Sequence, residues 1–324
     1  MPRAFIAGTR NAEAGLAEGR RVLATGGSAL DAVEAAVRVA ENDPLDWSVG
    51  FDGLPNLLGE VELDASIMLG SSRRAGAVAA VKTVKNPISL ARKVMELTPH
   101  VLLVGEGADR FARAAGFPTE ALQSAEGKRR FENLIAGREM LEGFGKVPPA
   151  MAKLAWRYEP YLRRQMAQFD VKAWYDKLQT AWHGTIDVIA GDRAGELCSG
   201  VSTSGLALKF PGRAGDSALV GAGNYADARY GAAACVGQGE LAIRFSAART
   251  AVLHMKAGKT PRQAADAVIR ELLDEEPEGI LQVLVVSKAG AAAASASQKG
   301  LHTVYWKEGM GRIERRASRV LRAR

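Results

Sequence analysis

The sequence predicts an α+β fold in which helices pack over a largely antiparallel sheet or pair of sheets. Strand-like runs gather toward the two ends of the chain, and helical periodicities lie between them. No segment repeats, and no glycine cluster sits between a strand and a helix of a βαβ unit. By length, 324 residues correspond to one or two domains, and this distribution without an internal repeat favours a single domain over 1–324. A hydrophobic content of 47% beside 24% charged residues excludes disordered and fibrous classes.

The elements follow in order. A first helix is expected from Ala12 to Leu23, ended by Gly26-Gly27. Ser28 caps the next helix with Asp31 three residues on, and Leu30, Val33, Val37 and Ala40 form its buried face. Leu63 to Leu69 and Ala75 to Val81 read as strands separated by a polar turn. Helices are expected at Leu90 to Leu97 and Ala108 to Ala115, on either side of a short strand at Val101 to Val104. From Gly137 to Trp182 no period holds, although three of the five tryptophans lie there, so an irregular or partly helical connection is expected. Thr185 to Ala190 and Leu197 to Thr203 alternate as strands about the turn Asp192-Arg193-Ala194-Gly195. Long helices are expected at Glu240 to Lys256 and Pro261 to Leu273. Strands follow at Ile280 to Val286, Ala291 to Ala296 and His302 to Trp306.

Several function classes drop out. The chain carries +7, but +5 of that lies in residues 307–324, a basic tail expected to be a solvated terminal helix or frayed end. Without aromatic interleaving beyond Trp306 or a nucleic-acid motif, a nucleic-acid partner is not expected. Cys198 and Cys235 give neither a disulfide framework nor a zinc spacing, and His100, His183, His254 and His302 form no metal-ligand pair. No metal or cofactor is implied. Apolar runs fall short of a membrane span, and the N-terminus lacks the apolar run of a secretory signal, so a cytoplasmic protein is expected. Gly221-Ala222-Gly223 and Gly237-Gln238-Gly239 lack the setting of a dinucleotide loop, and Ser202 lacks the glycine two places on that a serine-hydrolase elbow needs.

One constellation rises above this background. A turn centred on Ala194 places Thr185 opposite Thr203, so two hydroxyls face each other at a strand start, either as an ordinary cross-strand pair or as a reactive one. Ten residues on, Gly212-Arg213-Ala214-Gly215-Asp216-Ser217 offers opposite charges in a glycine-rich loop. These suit a clamp on a carboxylate and an ammonium, or a local salt bridge. Gly237 to Glu240 then presents free amides at a helix start, where an anion is stabilised.

The order Gly184-Thr185, Ser202-Thr-Ser-Gly205, Gly212-Arg-x-Gly-Asp-Ser217 and Gly221-Ala-Gly-x-Tyr-Ala226 resembles the glycosylasparaginase and isoaspartyl peptidase/type 2 asparaginase family. Thr25-Gly-Gly-Ser-Ala-Leu-Asp-Ala-Val-Glu34, Ser48-Val-Gly-Phe-Asp-Gly-Leu-Pro55 and Leu58 to Met68 resemble its glycosylasparaginase branch. The match spans roughly residues 22 to 300.

The resemblance implies a four-layer αββα N-terminal-nucleophile hydrolase that cuts itself between Gly184 and Thr185, and a homodimer of cleaved protomers. Thr185 would be the nucleophile, with its new α-amine as base. Thr203 would support it, Gly237 would donate to the oxyanion, and Ser48 matches a serine close to the nucleophile. Arg213 would bind the substrate's α-carboxylate and Asp216 its α-ammonium. The substrate would be a small molecule or peptide with an aspartyl β-amide, N4-(β-N-acetylglucosaminyl)-L-asparagine first, β-aspartyl peptides or asparagine second.

Two positions depart from the family. Val236 stands where a Thr supplies a second oxyanion donor. Arg10 stands where glycosylasparaginases carry a substrate-lining Trp, and its charge favours an acidic leaving group. These departures also motivate a third reading, a family member that binds without efficient hydrolysis.

Overall fold

A computed structural model describes residues 2–43, 45–136, 138 and 184–323. The loosely patterned stretch at 137–182 lies almost entirely outside the described residues. Elsewhere the chain runs β1 (Phe5–Thr9), a 3-10 turn (Arg10–Ala12), α1 (Glu13–Ala24), α2 (Ala29–Glu41), β2 (Leu63–Leu69), β3 (Ala75–Val81) and α3 (Pro87–Leu97). Next come β4 (Leu102–Val104), α4 (Gly105–Ala114) and α5 (Ala125–Ile135). After the undescribed stretch follow β5 (Ile186–Gly191), β6 (Leu197–Thr203), a 3-10 turn (Asp216–Ala218), β7 (Asn224–Asp227) and β8 (Gly231–Gly237). The chain continues through α6 (Gly239–Arg244), α7 (Ala247–Lys256), α8 (Pro261–Glu275), β9 (Leu281–Ser287), β10 (Ala292–Ala296), β11 (His302–Lys307), β12 (Glu314–Ala317) and β13 (Arg319–Val320).

The strands form two sheets, an eight-stranded one ordered β12-β11-β1-β5-β6-β2-β3-β4 and a five-stranded one ordered β13-β10-β9-β8-β7. Pairing is antiparallel except at β3–β4 and β10–β13. Side-chain alternation explains the layering. From β5, Ile186, Val188 and Ala190 pack with Leu16, Val33 and Val37 of α1 and α2. Ile189 points the other way, into a core shared with Leu197, Ala226, Ala234 and Leu284. Behind the second sheet, Val283 and Val285 pack with Val252, Ile269 and Leu272 of α7 and α8. The result is helix, sheet, sheet, helix, the α+β sandwich expected.

Several expectations need correction. The helix expected from Glu240 to Lys256 is two, because Ser246 adopts a left-handed conformation (φ 45°, ψ 48°) between α6 and α7. β1, α5, β7 and β8 were not foreseen. β8 reads Gly231-Ala-Ala-Ala-Cys-Val-Gly237, with little of the β-branched signal that marks a strand. The basic tail is neither helical nor frayed. β12 pairs with β11 and β13 with β10, and Arg315, Arg316 and Arg319 form ion pairs with Glu13, Glu314 and Asp266. Much of the tail's charge is therefore met by acids of the same chain.

The β5–β6 hairpin positions the site. Gly195 sits at φ 87°, where a side chain would be strained, and Asp192 ties the turn through the amides of Ala194 and Glu196. The register Ile186↔Ser202 is the one expected from a turn centred on Ala194, and it sets Thr185 against Thr203.

Candidate active site

Thr185 precedes β5 and is buried, at 8% exposure. Its hydroxyl donates to Thr203 Oγ1 at 3.3 Å. Thr203 Oγ1 in turn donates to the carbonyl of Gly184 at 2.7 Å and accepts from the Gly205 amide at 2.9 Å. A hydroxyl has one proton to give and two lone pairs, so that of Thr203 is fully engaged. The continuous chain thus holds the nucleophile candidate beside the Gly184–Thr185 peptide bond, with a donor already on its carbonyl oxygen.

Ser48 closes the other side. A Cβ at Gly184 would overlap Ser48 Oγ, so only glycine fits there. The Ser48 hydroxyl donates to Asp46 and accepts from Asn11 Nδ2 at 3.2 Å, and Asn11 also donates to Asp46 at 3.1 Å. The Ser48 carbonyl accepts from both the amide and the hydroxyl of Ser204, at 3.0 and 2.8 Å. This binds the Ser48 loop to the residue after Thr203.

Gly184, Thr185, Thr203, Arg213, Asp216 and Gly237 line one pocket, together with Gly205, Leu206, Gly215 and Gly239. Arg10 is not among the lining residues. It is exposed and follows Thr9, whose one hydroxyl proton is shared between the Thr185 carbonyl at 3.5 Å and Asp187 at 3.3 Å. Arg213 and Asp216 do not pair as a local salt bridge. The Arg213 guanidinium instead donates through Nε and Nη2 to Glu240, at 2.9 and 2.7 Å.

Burial pushes Asp216 up to about 7; the Arg213 charge opposes this, while Glu240 and Asp64 add to it. Val236, at the end of β8, faces Gln282 across the sheet and brings no hydroxyl.

Four residues that matter here were not singled out from the sequence. Asp64, register partner of Thr203, accepts from the amides of Ala80 and Gly215 and so anchors the loop carrying Arg213 and Asp216. Lys209 is fully buried, donates to the Glu62 carbonyl at 3.0 Å, and is pushed down by burial. Asp187 is fully buried, with burial first and the Asp216 charge second in pushing its carboxyl well up. Glu240 is the partner of Arg213. Each relation joins residues far apart in sequence, or a strand whose facing is known only in the fold.

The layered sandwich and threonine-lined pocket fit an amidohydrolase of the N-terminal-nucleophile class, which the family match shows. The chain belongs to the asparaginase family, whose profile matches residues 6–313. It is 36% identical to a Bos taurus isoaspartyl peptidase/L-asparaginase over 90% of this chain and 84% of that protein. It is 38% identical to a Pyrococcus furiosus plant-type L-asparaginase, over 88% of this chain and 85% of the relative. Its identity to a Mus musculus N(4)-(beta-N-acetylglucosaminyl)-L-asparaginase is 35%, over 85% of this chain and 79% of the relative. Relatives with each of these names thus occur at similar identity.

Proposed function

We propose that the protein cuts its own Gly184–Thr185 bond and then hydrolyses the β-amide of asparagine derivatives, releasing L-aspartate. The observation that carries this reading is the Thr185–Thr203–Gly184 arrangement in a pocket shared with Arg213 and Asp216.

In the uncut chain, Thr185 Oγ attacks the Gly184 carbonyl carbon, and the Thr203 hydroxyl stabilises the oxygen as it gains charge. The C–N bond breaks, the departing nitrogen takes the proton given up by the Thr185 hydroxyl, and water hydrolyses the resulting ester. Thr185 then owns a free α-amine, with a reference pKa of about 8, able to accept the hydroxyl proton near neutral pH directly or through water.

In the second reaction the same oxygen attacks the substrate amide. Arg213 holds the α-carboxylate, Asp216 the α-ammonium, and the Gly237 N–H the oxyanion. Ser48 stays close to the nucleophile by its packing against Gly184. The leaving amine takes the proton, and water releases aspartate from the aspartyl-enzyme ester.

The first leaving-group assignment is the glycosylamine 1-amino-N-acetylglucosamine, on the motifs at Thr25–Glu34, Ser48–Pro55 and Leu58–Met68. Arg10, exposed beside Thr9, favours a second assignment, the carboxylate-bearing leaving group of a β-aspartyl peptide. The buried, unpaired Cys198 and Cys235 suit a reducing cytoplasm, and family resemblance supports a homodimer.

Intact mass and N-terminal sequencing of the purified protein, beside a Thr185→Ala control, test the reading. Fragments of 184 and 140 residues from wild type alone, with turnover of glycosylated asparagine, asparagine or a β-aspartyl peptide, are expected. A persistent 324-residue chain would overturn it. An Arg10→Trp variant separates the two leaving-group assignments, since it should shift turnover toward the glycosylated substrate.

A further inference from the structure

Arginine offers five N–H donors in a rigid planar fork on a flexible stem, so its use as a carboxylate receptor depends on what holds the plane. In this chain one edge of Arg213 is taken. Nε and Nη2 both donate to the same oxygen of Glu240, at 2.9 and 2.7 Å, and among the described residues no other side chain accepts from this guanidinium. The other edge is turned to the pocket. A Cβ placed on Gly205 or Gly215, both lining residues, would come within 3.2 and 3.0 Å of Nη1. Gly239, just before Glu240, allows the approach, because a Cβ there would meet Asp216 Oδ1 at 2.8 Å and Arg213 Nη2 at 3.2 Å.

Resting on the reading of Arg213 as the partner of the substrate's α-carboxylate, we propose that Glu240 is the positioning residue for that contact. Its carboxylate fixes the guanidinium plane by the Nε–Nη2 edge and presents Nη1 to the substrate. Glu240 touches neither the nucleophile nor the reacting carbonyl, so its action is on substrate binding. It is not a competitor for the substrate's place, because the edge it occupies differs from the one facing Gly205 and Gly215. The arrangement spares the substrate the entropy of ordering a long side chain, and it leaves a one-edge grip in place of a full two-edged fork.

The test is a kinetic cycle on the cleaved enzyme with whichever of asparagine, glycosylated asparagine or β-aspartyl-alanine wild type turns over fastest. Glu240→Ala is expected to raise KM about tenfold while kcat stays within about threefold. Glu240→Gln, which retains an accepting oxygen and the same shape, is expected to give a smaller rise and serves if the alanine variant fails to fold. Arg213→Ala should raise KM strongly, and adding Glu240→Ala to it should raise KM no further, since the two act as one unit. Additive effects, a loss confined to kcat, or a KM lowered by removing Glu240 would each overturn the proposal. If Arg213→Ala itself leaves KM unchanged, the carboxylate role of Arg213 fails first and the positioning role falls with it.

Discussion

The Thr203 hydroxyl donates to the carbonyl oxygen of Gly184 at 2.7 Å, on the peptide bond that joins Gly184 to Thr185. One side chain therefore serves the bond proposed for cleavage and the hydroxyl that would cut it. Replacing Thr203 by Val keeps the shape and removes the donor. We expect fragments of 184 and 140 residues to accumulate about 10²–10³-fold more slowly, followed by intact mass over time.

Gly184 has no room for a side chain, because a Cβ would overlap Ser48 Oγ. Gly184→Ala should lower stability by about 1–3 kcal/mol and displace the Gly184–Thr185 bond. Pairing it with Ser48→Gly vacates the space and should recover part of the loss. Thermal unfolding of the single and double variants checks this.

In its proposed role Asp216 binds an ammonium only when ionised, and burial lifts its carboxyl to about 7. Below that pH the protonated acid offers no charge, so KM for the amino-acid substrate should fall as pH rises through 7. Asp216→Asn should raise KM and flatten its profile between pH 6 and 8, measured with about the same ionic strength at each pH.

Glu41 is fully buried at the end of α2, where it accepts from the Ile88 amide and Asn86 Nδ2. Burial drives it from 4.5 up to about 7. Its neutral form is the one the fold prefers. The stability it contributes is thus full below 4.5 and is lost as pH rises through 7, about 3 kcal/mol in all. Urea unfolding at pH 5 and pH 8 should show a smaller pH-dependent loss in Glu41→Gln than in wild type.

Val236 ends β8 next to Gly237 without a hydroxyl. Restoring one with Val236→Thr should supply a second oxyanion donor and raise kcat by about tenfold or more, with KM little changed. Steady-state kinetics on asparagine and on glycosylated asparagine decides it.

The parts of the site that were legible in the sequence are those written locally. Asp192 and Gly195 declare the turn, alternation declares β5 and β6, and their symmetry about Ala194 sets Thr185 against Thr203. Arg213 and Asp216 were visible as opposite charges in a glycine-rich loop, but their partners were not. Glu240 lies 27 residues from Arg213, and Asp64 lies 151 from Gly215, so only the folded sheets bring them together. β7 and β8 escaped notice for another reason. β7 is only four residues, Asn-Tyr-Ala-Asp, and in β8 Ala233 and Cys235 enter one core while Ala232 and Ala234 enter the other, leaving no polar face to mark a period of two. The Glu314-Arg-Arg-Ala317 strand looked like a charged tail because the acids that answer its arginines include the distant Glu13.

If the proposed cut is made, the strand order has a consequence for the life of the protein after it. In the large sheet β1, from the first fragment, lies between β11 and β5 of the second, while β6 of the second borders β2 of the first. The two pieces are threaded through one another like the teeth of a closed zip. Gel filtration of the cut protein should not tell it from the uncut one, yet the two differ in memory. A chain still in one piece refolds at a rate independent of its concentration. The cut pieces, once separated in denaturant, must find each other again, and their recovery becomes a second-order process.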